Sequence, residues 1–86
     1  MSPPSRPQIE EELRRFIVEE VLEEGYDGRD PLSTQSVDSL GLEQLVDYIE
    51  GVYGVTLRDE DLVTENFESI PVLAAFVDSK LRGEAS

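Results

Sequence analysis

Apolar residues recur at every third or fourth position in three stretches of the chain, and this spacing is typical of amphipathic helices. The first predicted helix covers about residues 8–24, the second 38–53 and the third about 70–81. A short helical turn is predicted at 64–69, and no strand signal is longer than residues 55–57. The apolar faces of the three helices contain Ile9, Leu13, Phe16, Ile17 and Val21; Leu42, Leu45, Val46, Ile49, Val52 and Tyr53; and Leu73, Ala74, Phe76, Val77 and Leu81. The chain is therefore predicted to be all-α, a small bundle of three main helices plus one short helix.

Helix breakers and charged residues mark the ends of these helices. The acidic residues 10–12 stand in the predicted first turn, where they suit the positive end of the helix dipole. Gly25 and Gly54 are the predicted terminators of the first and second helices, and Gly83 lies beyond the third. Pro71 fits the first turn of the third helix, where its missing N–H costs nothing.

A polar loop of residues 25–37 separates the first two helices. It is long for so small a domain, so it is expected either to pack on the core or to serve function. Leu32 and Val37 are its aliphatic residues, and we expect both to hold it against the core.

The composition indicates one small domain without catalytic chemistry of its own. Residues 1–7 are predicted to be a disordered leader, residues 8–82 the domain and residues 83–86 a tail. The chain has no cysteine and no histidine, which excludes disulfides, thiolate metal sites and the commonest general base. No pair of carboxylates is placed for acid–base catalysis, so we expect neither an enzyme nor a metal site.

The net charge restricts the possible partners. Acidic residues outnumber basic ones 20 to 7, which gives a charge of −13. Such a chain is repelled by nucleic acid and by anionic membranes, and it attracts proteins with basic patches. No apolar run approaches the length of a membrane span. We therefore expect a monomer in the cytoplasm that binds neither nucleic acid nor membranes.

The second helix carries the most informative pattern in the sequence. Leu40 projects away from its apolar face, on the same side as Glu43, Asp47 and Glu50. Ser39 places a hydroxyl at the start of this helix. By itself, the local sequence favours a plain helix cap for this serine and for the aspartate before it.

Three motifs follow one another from this serine to the start of the last helix. They are Asp38-Ser39-Leu40; Tyr53-Gly54-Val55 with Leu57; and Asp59-Glu60-Asp61-Leu62 followed by Glu65-Asn66-Phe67-Glu68-Ser69-Ile70. In this order and spacing, in an acidic chain of this length, they resemble the motifs of acyl carrier proteins. This family comprises the phosphopantetheine-dependent carrier domains of fatty-acid, polyketide and nonribosomal-peptide synthesis. The resemblance covers about residues 9–81.

The resemblance implies a modified phosphoprotein that carries intermediates between enzymes. Ser39 would carry 4′-phosphopantetheine, attached as a phosphodiester from coenzyme A, whose thiol holds acyl groups as thioesters. Asp38 would help a phosphopantetheinyl transferase to recognise the site. The acyl-loading and acyl-using enzymes would dock through basic patches on a surface made of Leu40, Glu43, Asp47 and Glu50.

Some positions depart from the family pattern. Ser36 replaces a usual glycine, while Gly41, Gln44 and Gly51 stand where acidic residues are common. The two glycines also weaken the helix, by about 1 kcal/mol each relative to alanine. These departures favour polyketide or other secondary-metabolite biosynthesis over ordinary fatty-acid biosynthesis. Two alternatives stay open: a peptidyl or aminoacyl carrier protein, and an unmodified acidic helical adaptor that binds a basic protein partner.

Overall fold

Three α-helices, one short π-helical segment and two short 3-10 turns form the regular structure of the described residues. The computed structural model describes residues 4–22, 28–35 and 37–83. The helices are α1 (Arg6–Phe16), α2 (Ser39–Tyr53) and α3 (Ile70–Arg82), and the 3-10 turns are Asp59–Asp61 and Thr64–Phe67. The described residues include no strand, and the predicted all-α bundle is confirmed. None of the described helices has both the length and the apolarity needed to cross a membrane.

Several sequence predictions fall on residues that are outside the described ranges. They concern Gly25 as a helix terminator, the end of the first helix at residue 24, Ser36 in the loop, residues 1–3 of the leader and residues 84–86 of the tail.

Helix α1 begins two residues earlier than its apolar spacing predicts. Ser5 caps it by accepting a hydrogen bond from the Gln8 backbone N–H to Oγ at 3.4 Å, and Pro7 occupies the first turn. The first turn therefore contains no acidic residue, and the prediction that residues 10–12 stand there is wrong. The apolar pattern could not reveal this turn, because its first two residues are an arginine and a proline.

The end of the first helical segment is wider than an α-helix. Ile17–Val21 form a π-helix, in which the Leu22 N–H donates to the Ile17 carbonyl at 2.8 Å. The prediction of one regular helix over residues 8–24 is corrected at this point. The π segment packs against α2 and places a methyl group of Val21 beside Gly41.

The core lies between α1, α2 and α3, and α1 packs mainly against α3. Its buried apolar residues are Ile9, Leu13, Ile17, Leu32, Leu45, Ile49, Leu57, Ile70, Leu73, Ala74 and Val77. The loop predictions are confirmed, since Leu32 is buried and Val37 packs against the core. Val52 is a wrong core prediction: it lies in the last turn of α2, where no described element covers it, and 54% of it is exposed.

One carboxylate fastens the loop before α2 to the start of α3. Asp30 accepts the backbone N–H groups of Leu32 and Ser33 at Oδ1, at 3.0 and 3.3 Å. Its Oδ2 accepts the Ile70 N–H at 2.9 Å. The Ser33 hydroxyl adds a bond to the carbonyl of Glu68 at 3.3 Å.

Aromatic side chains join α1 to α2. The rings of Phe16 and Tyr48 stack at 4.2 Å between centroids, and Tyr53 meets Tyr48 edge-on at 6.3 Å. The Tyr53 hydroxyl donates to the Glu12 carboxylate at 2.6 Å. Burial, followed by this carboxylate, raises the pKa of Tyr53 above its usual value, so the phenol stays protonated and keeps donating.

Candidate functional site

The site begins at the first turn of α2, which an aspartate caps. Asp38 has an extended backbone, and its Oδ1 accepts the Gly41 N–H at 2.8 Å. The Leu42 N–H donates to the Asp38 carbonyl, also at 2.8 Å. The prediction that Asp38 caps this helix is confirmed, and the helix itself starts at Ser39.

Ser39 is exposed and does not cap the helix. Asp38 caps the helix in its place, and the Ser39 hydroxyl makes no hydrogen bond to any described residue. The Gly41 N–H is taken by the cap, which leaves the N–H groups of Ser39 and Leu40 without an intrahelical acceptor. An exposed nucleophilic oxygen therefore stands beside two backbone donors at the positive end of a helix dipole.

The serine borders a groove of about 620 Å³ between α2 and residues 62–67. The groove is lined by Ser39, Leu40, Leu42, Glu43, Gln44, Val46, Asp47, Leu62, Val63, Thr64 and Phe67. Two of the six residues predicted for the apolar face of α2, Leu42 and Val46, are half-buried and line the groove, and Val46 also packs against the core. Leu40, Leu62 and Val63 are 62%, 44% and 39% exposed and form an apolar rim. This groove suits a ligand that is apolar along much of its length.

The predicted site residues divide into two groups. Ser39, Leu40, Glu43 and Asp47 all line the groove, and the two acids are exposed. Glu50 does not join them, because its Oε2 accepts the Leu57 N–H at 2.8 Å and so holds the chain that leaves α2. The acidic part of the groove therefore consists of Glu43 and Asp47.

The far side of the groove was not anticipated from sequence. Leu62 and Val63 lie between the two 3-10 turns, and Thr64 and Phe67 belong to the second turn. One usable signal is the adjacent aliphatic pair between two polar turns, because a short turn offers little core to cover both side chains.

An ion pair attaches this side of the groove to α3. The Lys80 Nζ lies 2.8 Å from the Asp61 Oδ2, and both side chains are nearly buried, at 12% and 13% exposed. The Arg58 N–H donates to the same carboxylate at 3.0 Å. The hydrogen bond from Lys80, followed by the one from Arg58, holds the pKa of Asp61 below its usual range.

The described residues also limit which ligands the site can hold. Within them, no cluster of three or more acidic side chains is placed to bind a metal ion. A phosphate ester on Ser39 fits the site, since the oxygen is exposed and two backbone donors are adjacent. An extended apolar group attached there would lie next to the groove.

Comparisons with known proteins do not assign the chain to a family. No model of a known protein family matches it. No curated protein matches it significantly. A functional assignment therefore depends on the motifs and on the geometry around Ser39.

Proposed function

We propose that the chain is an acyl carrier protein, with Ser39 as the attachment point of 4′-phosphopantetheine. The observation that carries this proposal is the Ser39 hydroxyl, which is exposed, spared from capping by Asp38, and open to an apolar groove. The three motifs that begin with Asp38-Ser39-Leu40 support it. When bound, the group supplies a terminal thiol that holds an acyl chain as a thioester.

The residues around Ser39 would bind and orient the modification. The N–H groups of Ser39 and Leu40, with the helix dipole, stabilise a phosphodiester negative charge. Asp38 fixes the first turn and so keeps both donors in place. Since no described residue offers a hydrogen-bonded base to this oxygen, a phosphopantetheinyl transferase would deprotonate it and supply the group from coenzyme A.

The resulting role is transport without catalysis. A covalent tether raises the effective concentration of a bound intermediate at each enzyme that docks. The glycines on α2 and the acids restricted to Glu43 and Asp47 favour a polyketide or other secondary-metabolite pathway over general fatty-acid synthesis. We place the carrier in the cytoplasm as a monomer, in keeping with its strong negative charge.

Intact-protein mass spectrometry after incubation with coenzyme A and a broad-specificity phosphopantetheinyl transferase tests the proposal. We expect the wild-type chain to gain one phosphopantetheinyl unit and Ser39→Ala to gain none. Thr64→Ala is the matched control, because it removes another exposed hydroxyl from the same groove and should still be modified. A folded wild-type chain that gains no mass would overturn the carrier function.

A protein-binding adaptor is the second candidate. The observation that favours it is the group of exposed apolar side chains Leu40, Leu62 and Val63, which lie next to Glu43 and Asp47. Exposed apolar side chains with charged neighbours are typical of binding surfaces. This function needs no modification of Ser39. A basic partner that binds wild type and Ser39→Ala equally well, in a chain that the transferase leaves unmodified, would establish it.

The acids of the groove should control how fast the transferase docks. We expect Glu43→Lys combined with Asp47→Lys to lower kcat/KM for Ser39 modification about tenfold at low salt, because charge complementarity speeds association. The loss should shrink as salt screens the charges. Initial rates of coenzyme A consumption across a salt series measure this effect.

A matched control has the same net charge change elsewhere. Glu19→Lys combined with Glu20→Lys alters two exposed acids of the π segment, outside the groove. If both pairs slow the transferase equally, total charge and not the groove governs docking. Glu50 is left unchanged because its carboxylate bonds the Leu57 N–H.

A further inference from the structure

We propose that the Asp61–Lys80 ion pair is a positioning pair that holds the outer side of the groove, residues 62–67, and thereby sets how well the groove shields an acyl group attached through Ser39. This inference rests on the proposed carrier function. The motifs around Ser39 do not indicate what keeps the side of the groove opposite α2 in place. We call residues 62–67 the groove wall.

The groove wall has little apolar anchorage of its own. Leu62 and Val63 are about two-fifths exposed, at 44% and 39%, and Phe67 is the side chain of the wall that packs against the described core. The backbone bonds at its two ends belong to single 3-10 turns, with Leu62 N–H to Asp59 O at 3.1 Å and Asn66 N–H to Val63 O at 3.0 Å. Single turns of this kind open easily unless other contacts hold them.

Asp61 connects both 3-10 turns to α3. Its carboxylate accepts from Lys80 at 2.8 Å and from the Arg58 N–H at 3.0 Å. Its carbonyl accepts the side-chain amide of Asn66 at 2.8 Å. Lys80 belongs to α3, and Asn66 belongs to the groove wall. Asp61 therefore links the wall to α3 through polar contacts.

The exposure of this pair distinguishes it from an ordinary surface ion pair. Both side chains are about seven-eighths buried, so water has little access to either charged group. If one partner is removed, the charge of the other is left poorly solvated. The nearby Arg58–Glu60 pair is 3.9 Å long, and its side chains are 72% and 67% exposed. Such a pair contributes little. The two pairs therefore offer a matched comparison within one segment.

The consequence for a carried acyl group follows from where the wall lies. The groove is bounded by α2 on one side and by the wall on the other. If the wall detaches from α3, its apolar rim no longer covers an acyl group that lies against α2. Water and other nucleophiles then reach the thioester more easily.

Amide hydrogen exchange of the full-length, unmodified protein measures the wall directly. We expect Asp61→Asn to speed exchange of the Leu62 and Asn66 N–H groups about tenfold, as loss of a charged hydrogen bond implies. The N–H groups of Leu45 and Ile49 in α2 should keep their wild-type protection. Glu60→Gln, which removes the same charge from the exposed pair, should leave the wall unchanged.

The shielding is measured on the loaded protein. The transferase and octanoyl-coenzyme A place an eight-carbon acyl group on Ser39, and hydroxylamine then takes the acyl group from sulfur while the free thiol is released. We expect Asp61→Asn to lose its acyl group severalfold faster than wild type and Glu60→Gln to match wild type. Lys80→Arg keeps the charge and should keep the slow cleavage of wild type, which a variant that only disturbs side-chain packing would not do.

The outcomes separate this inference from the carrier function. Equal exchange of the wall in wild type and Asp61→Asn, or equal hydroxylamine rates, overturns the positioning role while Ser39 remains modified. Absence of any modification in the mass spectrum overturns the carrier function and the shielding with it. Should Asp61→Asn fail to fold, Lys80→Gln breaks the same pair from α3, and failure of both variants to fold overturns a role confined to the wall.

Discussion

Replacing Asp30 with alanine is expected to lower the free energy of unfolding by about 3 kcal/mol and the Tm by more than about 10 °C. The lost carboxylate accepts three backbone N–H groups, those of Leu32, Ser33 and Ile70. Each hydrogen bond to a charged group contributes roughly 1.5–3 kcal/mol, and partial exposure to water reduces the sum. Urea denaturation followed by circular dichroism measures the change.

Two variants separate the hydrogen bonds from the charge. Asp30→Asn keeps an acceptor oxygen and should lose less stability than Asp30→Ala. Asp59→Ala removes one acidic side chain that is exposed and makes no hydrogen bond through its carboxylate to the described residues, so it should change stability by less than about 0.5 kcal/mol. Equal effects of Asp30→Ala and Asp59→Ala would show that Asp30 does not hold the fold together.

The position of Asp30 explains why so much stability depends on it. The loop that it organises leads to Asp38 and the first turn of α2, and Ile70 opens α3 just after the groove wall. One side chain thus connects the chain segments that enter and leave the candidate site. Its loss should loosen both, and the helix that carries Ser39 should become less protected against amide exchange.

The sequence predicted the features that depend on neighbouring residues. Asp38 caps α2 through a bond to the residue three positions ahead, Pro71 lies in the first turn of α3, and Gly54 ends α2 with a positive φ of 70°. The exposed position of Leu40 followed from helical periodicity, and its exposure of 62% confirms it. Each of these signals lies within one or two helical turns, so the local sequence contains the whole interaction.

Interactions between distant residues gave no comparable signal. Asp30 and Ile70 are forty positions apart, and nothing in either segment indicates that they meet. The Asp61–Lys80 pair that holds the groove wall also joins two different elements of the chain. The π segment at Ile17–Val21 is also invisible to periodicity, because its inward residues keep a spacing of four. The helices could therefore be predicted, while the groove that they form with residues 62–67 could not.

The two helical glycines of α2 are expected to respond to alanine with opposite signs. Gly51 is exposed, and a Cβ there meets nothing within 4 Å, so Gly51→Ala should stabilise the protein by about 0.5–1 kcal/mol through helix propensity. A Cβ on Gly41 would lie 2.7 Å from the Val21 Cγ1 and 3.0 Å from the Val37 Cγ1. Because β-branched valine side chains have few allowed χ1 rotamers, they cannot easily move aside. Gly41→Ala should therefore destabilise the protein by about 1–2 kcal/mol. Thermal and urea denaturation of both variants measure the difference.

A double-mutant cycle locates the cause of the Gly41 effect. Val21→Ala removes the methyl group that the new Cβ would meet, so Gly41→Ala should cost less in that background than in wild type. If Gly41→Ala stabilises the protein as much as Gly51→Ala does, the π segment does not pack closely against α2, and the close approach of Val21 to Gly41 is not required. The expected result instead identifies Gly41 as the position where α2 needs no side chain at all. The acidic residue common there in acyl carrier proteins would then be excluded by the packing that also sets the first turn around Ser39.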